Sequence, residues 1–121
     1  MNRILACTTC ILLFLCISAP SFAQIDDICT KMDDPKFKGF CLNNFDTNKD
    51  GILSQEEAEA VTEMGFLYAS GIRSLKGIEY FTNLTLLNCS LNELTKLDVS
   101  KNTALKELRC NDNLLTMLIA H

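Results

Sequence analysis

Two stretches decide how this chain is read: "LTLLNCSLNEL" (Leu84 to Leu94) and "LKELRCNDNLL" (Leu105 to Leu115), which share the pattern L-x-x-L-x-C-x-x-N-x-L at an offset of 21 residues. Between them, "LTKLDVSKN" (Leu94 to Asn102) reads L-x-x-L-x-V-x-x-N, and "LTMLIA" (Leu115 to Ala120) begins that half-pattern again. Each 21-residue unit therefore contains two similar halves. A repeat of this period marks a solenoid, because one unit is too small to bury its own leucines and must stack on the next. Leu87, Cys89, Leu108 and Cys110 are expected to point inward from short parallel strands. Asn92 and Asn113 are expected to turn inward at the bends and bond backbone groups there.

Upstream, "LYASGIRSLKGIEYFTNL" (Leu67 to Leu84) places Leu67, Ile72, Leu75, Ile78, Phe81 and Leu84 as a first, less regular coil, with Gly71 and Gly77 at its turns. Near Gly65 the composition changes, being charged and aromatic before it and leucine- and asparagine-rich after it. "DDPKFKGFCLNNF" (Asp33 to Phe45) opens with Asp34 as an N-cap and Pro35 at the first helical position, then sets Phe37, Phe40, Cys41 and Phe45 on one face. "SQEEAEAVTEMG" predicts a second helix running to Gly65, with Ala58, Val61 and Met64 at helical spacing and acids in its first turn.

Between the two helices lies "DTNKDGILSQEE", Asp46 to Glu57. A hard cation such as calcium takes six to eight oxygens, and a twelve-residue loop supplies them when alternate residues turn inward about a sharp bend. Asp46, Asn48 and Asp50 occupy positions one, three and five, and Gly51 allows the bend. Ile52 offers a backbone carbonyl at seven, Ser54 acts through water at nine, and Glu57 is a bidentate carboxylate at twelve. Leu53, at eight, has no ligand role and is expected to pack inward. The loop resembles those of the EF-hand family, which implies Ca2+ as the bound ion. A single hand with three acidic ligands implies the modest affinity of extracellular modules, with Kd about 10⁻⁴ to 10⁻³ M.

"IRSLKGIEYFTNLTLL" resembles internalin-type leucine-rich repeats, and "LDVSKNTALKEL" resembles the nested 21-residue subclass found in secreted proteins of Gram-negative gut bacteria. In such proteins an EF-hand-like segment commonly precedes the repeats. The resemblance implies an α/β fold, a short leucine-rich-repeat solenoid with parallel strands behind a helix-loop-helix EF-hand-like cap. Phe40, Phe45, Val61 and Met64 are expected to cover Phe66, Leu67 and Leu75, closing the apolar end of the solenoid, with calcium holding the cap rigid. The expected domains are residues 1–23, a signal peptide; 24–65, the helical cap; and 66–121, about two and a half coils. The pattern stops in mid-coil, so truncation is expected, with Leu115, Leu118 and Ile119 at an open edge that invites self-association.

The leader has a basic n-region at Arg3, an apolar h-region "ILACTTCILLFLCIS" and a small-residue site ending at Ala23, with cleavage before Gln24. The mature chain is then expected to be secreted, to the cell surface, the medium or the periplasm, with no transmembrane span. Loss of Arg3 leaves 10 basic residues against 15 acids, a net charge of −5, which argues against a nucleic-acid partner. Only Cys29, Cys41, Cys89 and Cys110 remain of seven cysteines, too few for a disulfide scaffold. Cys29 and Cys41 are either a bridge or two buried thiols, depending on the intervening turn. Cys89 and Cys110 share one slot with Val99 and Ala120 in the alternate half, and read as small apolar packing.

The only histidine is His121, the last residue, so no general base can be matched to a nucleophile and no enzymatic activity is expected. The outward strand positions are the expected binding face for a protein or glycan: Asn88 and Ser90, then Glu107, Arg109 and Asn111, with Lys96, Asp98 and Ser100 on the alternate arc. Two readings of function follow. One is a secreted or surface interaction and adhesion module with a calcium-stabilised cap. The other is the N-terminal fragment of a longer surface repeat protein with no binding activity of its own.

Overall fold

A computed structural model describes residues 26–120. The expected leader, its cleavage site and His121 lie outside the described residues. Among the described residues, no helix is long and apolar enough to cross a membrane.

The fold is α/β with parallel strands. A 3-10 turn over Ile28–Lys31 leads to helix α1 (Pro35–Phe45), the loop, and helix α2 (Gln55–Glu59). Strands β1 (Glu63–Met64), β2 (Leu86–Asn88), β3 (Lys96–Asp98), β4 (Glu107–Arg109) and β5 (Met117–Ile119) follow. They form two sheets, β1-β2-β4 and β3-β5, parallel throughout. Leu87 stands beside Leu108 and Leu97 beside Leu118, so the 21-residue sequence offset is also the strand register in both sheets. The two halves of the repeat thus pair separately, each with its own equivalent in the next unit.

The asparagines tie these units together. Asn92 Nδ2 donates to the carbonyls of Leu67 and Cys89, while its Oδ1 accepts from the amides of Ser70 and Ile72. Asn113 repeats this one unit later, donating to Cys89 and Cys110 and accepting from Leu94. Asn102, fully buried, donates to Ile78 and Phe81 in the alternate half. A compact amide that both donates and accepts satisfies backbone groups that a bend inside the molecule would leave unbonded.

Helix α2 ends at Glu59, six residues short of the expected Gly65. The carbonyl of Thr62 accepts from the amides of Thr85 and Leu86 and from the Thr85 hydroxyl, so the next coil claims it. β-Branched Val61 and Thr62 also favour leaving the helix. Met64, placed on a helical face by its spacing, is instead a buried strand residue beside Leu87.

Phe66, expected beneath the helical segment, is 81% exposed. Asn92 bonds both Leu67 and Cys89, which makes these two residues equivalent, while Met64 pairs with Leu87. Gly65 and Phe66 therefore stand where the next coil has Asn88 alone. The extra residue makes a turn and turns the ring out to solvent.

One cluster of buried residues runs from Ile28 through Phe37, Leu53 and Phe81 to Val99, joining the helical segment to the repeats. Phe37 and Phe45 pack on Phe81, with ring centroids 6.4 and 6.0 Å away, and Phe45 meets Phe40 edge-on at 5.7 Å. Leu67 and Leu75 are buried as expected. Gly77 has φ of +107, and a Cβ there would lie 2.6 Å from Met32 Cγ, so the 3-10 turn of the helical segment sits directly on this bend.

Candidate metal centre

Asp46 follows α1 directly, as its C-cap. Its Oδ2 accepts from the amide of Gly51 at 2.9 Å and its Oδ1 from that of Asp50 at 3.3 Å, curling the loop onto its first residue. Lys49 and Gly51 take positive φ, +57 and +81, to make the bend, a conformation that costs glycine least. At the far end Ser54 caps α2, accepting from Glu57 N, while Glu57 Oε1 accepts from Ser54 N, a reciprocal capping box. Glu57 Oε2 accepts from Thr47 N at 2.9 Å and Thr47 Oγ1 at 3.2 Å, closing the loop across its width.

These bonds bring Asp46, Asp50 and Glu57 together, with one oxygen of each within 4.8 Å of the others. Calcium–oxygen distances of about 2.3–2.6 Å place two ligands of one ion no more than about 5 Å apart, so the three carboxylates fit a single ion. The donors are all oxygen, which suits a hard cation. Among the described residues none of the three is in an ion pair, and three converging charges without a countercharge attract a cation. Asn48 lies beside them, its amide group bonded to Asp50. Ile52 continues the loop, its amide donating to Asp50 Oδ1, and the Ser54 hydroxyl is turned onto the amide of Glu57. Burial works to raise the Glu57 pKa, but the amides of Ser54, Asn48 and Thr47 outweigh it and hold the carboxyl below its ordinary range.

The proposed binding-face residues divide between the two sheets. On β2 and β4, Asn88, Glu107 and Arg109 share one face, Arg109 and Glu107 being paired at 2.7 Å, with exposed Asn111 just beyond. Ser90 does not join that face. It is buried, and its hydroxyl donates to Asn111 Oδ1 at 2.7 Å, stitching one coil to the next. Lys96 and Asp98 lie on the other sheet, beside Ser100, whose hydroxyl and amide hold the Asp98 carboxyl below its usual range. Next to them a cleft of about 610 Å³ is lined by Asp33, Glu79, Lys96, Asp98, Lys101 and Ile119.

Among the described residues, Cys29, Cys41, Cys89 and Cys110 are thiols, and all but Cys110 are buried. Burial pushes Cys29 up to about 11 and Cys89 up to about 12, which keeps both protonated and poor as metal ligands.

The sequence marks Asp34 only as an N-cap, yet its carboxylate does more. Oδ1 accepts from Lys36 N at 2.8 Å, and Oδ2 accepts from Arg73 N at 2.6 Å and Ser74 N at 3.2 Å, stapling α1 to the first coil. A bond to a residue 39 positions away leaves no local signal.

No family model matches the chain, and no curated protein matches it. Solved structures do match, two of them as follows. An internalin from Listeria monocytogenes matches at 25% identity and a TM-score of 0.55, over 78% of this chain and 32% of its own. A structure of CBM51-2, in complex with GlcNAc, and INT domains from Clostridium perfringens ZmpB matches at 26% identity and a TM-score of 0.54, over 69% of this chain and 16% of its own. The chain spans about a third of the first and a sixth of the second. Its α/β fold with parallel strands is thus similar to that of an internalin.

Proposed function

We propose that this chain is a short leucine-rich-repeat solenoid closed at its N-terminal end by an EF-hand-like, calcium-stabilised cap. It serves as a secreted or cell-surface interaction and adhesion module with no enzymatic activity. The observation that carries this reading is the parallel 21-residue register, which aligns the outward side chains of neighbouring units on two faces, Asn88 beside Arg109 on one and Lys96 and Asp98 beside Met117 and Ile119 on the other. Solenoids use such extended faces for partners, and the likeness to an internalin favours the same use here. The partner is a protein or a glycan, met through Asn88, Glu107, Arg109 and Asn111 on one face and through Lys96, Asp98 and Ser100 on the other.

The packing of Phe37 and Phe45 on Phe81 and the Asp34 staple support the cap. Ca2+ would be held by Asp46, Asn48, Asp50, the Ile52 carbonyl and Glu57, with Ser54 assisting through water. It would neutralise the three converging carboxylates and make the loop rigid. A site of Kd about 10⁻⁴ to 10⁻³ M at about 10 mM calcium stabilises the folded state by about 1.4–2.7 kcal/mol.

Thermal unfolding in calcium and in chelator, beside a Glu57→Gln variant, tests the cap. A calcium-dependent rise in midpoint that the variant loses supports it, and superimposable curves reject it. The faces are tested on peptide and glycan arrays with Arg109→Glu and Lys96→Glu: a partner bound equally well by both variants and the parent uses neither face.

A further inference from the structure

Leu53 is the one residue of the 46–57 loop whose side chain is fully buried, and both of its backbone groups bond outside the loop. Its amide donates to Asp27 Oδ1 at 3.1 Å, and its carbonyl accepts from the amide of Ile28 at 2.9 Å. The same Asp27 oxygen accepts from Cys29 N at 3.0 Å, so the 3-10 turn that Asp27 caps fixes the carboxylate in place. Ile28 is itself buried in the core. By contrast, the side-chain bonds that shape residues 46–52 all come from within the loop.

Leu53 stands between Ile52 and Ser54, and Ser54 caps the helix that carries Glu57. Fixing Leu53 therefore fixes the second half of the ligand set relative to the first. A loop without that restraint must lose more conformational freedom on taking up an ion, and affinity falls accordingly.

We propose that Asp27 is a positioning residue of the ion site: the segment 27–28 clasps Leu53 from outside the loop and so sets the loop's affinity for calcium. This rests on the calcium reading above. Asp27 supplies an acceptor to the Leu53 amide, and its charge is secondary.

The test is calcium titration by calorimetry on the full chain and on Asp27→Ala and Asp27→Asn, with hydrogen exchange of the Leu53 amide in chelator. Asp27→Ala is expected to bind about 10-fold more weakly or worse, the usual effect of losing a group that orients metal ligands, and its Leu53 amide should exchange faster. Asp27→Asn keeps an acceptor oxygen and should stay close to the parent in both measurements. If the parent takes up no calcium, the calcium reading fails and the inference with it. If the parent binds and Asp27→Ala binds as tightly, only the clasp is overturned. Should Asp27→Ala fail to fold, Asp27→Asn decides: parent-like affinity with a protected Leu53 amide upholds the clasp, and a 10-fold loss or an unprotected amide overturns it.

Discussion

The unit containing Leu87 and Leu97 and the unit containing Leu108 and Leu118 carry the same pattern and pair in register, yet their burial differs. Leu87 and Cys89 are fully buried, while Leu108 and Cys110 are only partly so. Leu97 is 3% exposed and Leu118 49%. The inner unit is covered on both sides. The outer one has a described neighbour on one side only, and exposes Leu114, Met117 and Ile119 as well. A repeat pattern therefore states where a side chain points, and the neighbouring coil decides what it contributes.

The sharpest way to break this comparison is paired truncation. Leu87→Ala is expected to cost about 2–5 kcal/mol through lost burial and a cavity, while Leu118→Ala should change stability by about 0.5 kcal/mol or less. Urea denaturation of both reads the difference, and equal losses would mean that the outer unit is covered in solution, by self-association through its apolar edge. Asn92→Ala against Asn113→Ala repeats the question for polar groups. Asn92 is buried and serves five backbone groups, so its loss should cost about 3 kcal/mol; Asn113, only partly buried, should cost less, about 1 kcal/mol.

A smaller effect sets the helical segment against the repeats. Burial tends to raise Asp34, but the amides of Arg73, Lys36 and Ser74 outweigh it and hold its carboxyl below the ordinary value of 3.8. With the folded pKa depressed, its stabilisation is complete above that value and is lost as pH falls from there through the folded pKa. Asp34→Asn should flatten acid unfolding in that window, and an unchanged acid midpoint would discount the staple.

The least effect is expected at the bends. Ala69, Leu91 and Asp112 occupy equivalent left-handed positions, with φ of +55, +58 and +58. Leu91 is exposed there, and a bulky residue pays for this conformation, so Leu91→Asn should stabilise by about 1 kcal/mol, measured as a raised urea midpoint.

Much of this was legible beforehand, because repeats and caps are local. The 21-residue offset predicted the register, and the asparagine positions predicted the inward bonds. The spacing of Asp46, Asp50 and Glu57 predicted a meeting of carboxylates. The failures have one origin. Helical spacing through Ala58, Val61 and Met64 predicted a longer α2, but the Thr62 carbonyl was already engaged by Thr85 and Leu86, more than twenty residues on. Phe66 is expected beneath the helical segment, but the extra residue between Met64 and Leu67 turns its ring out to solvent. Alternation along a strand predicts that Ser90 faces outward, but β2 ends at Asn88 and the chain bends, turning Ser90 toward Asn111.

The sequence by itself determined the repeat period, the pairing register and the oxygen-bearing positions of the 46–57 loop, since each depends on spacing along the chain. Only the tertiary structure decided where α2 stops, which leucines are buried, and that Asp34 and Asp27 reach Arg73 and Leu53. Those outcomes depend on which distant backbone group lies within hydrogen-bonding distance, and spacing along the chain carries no information about that.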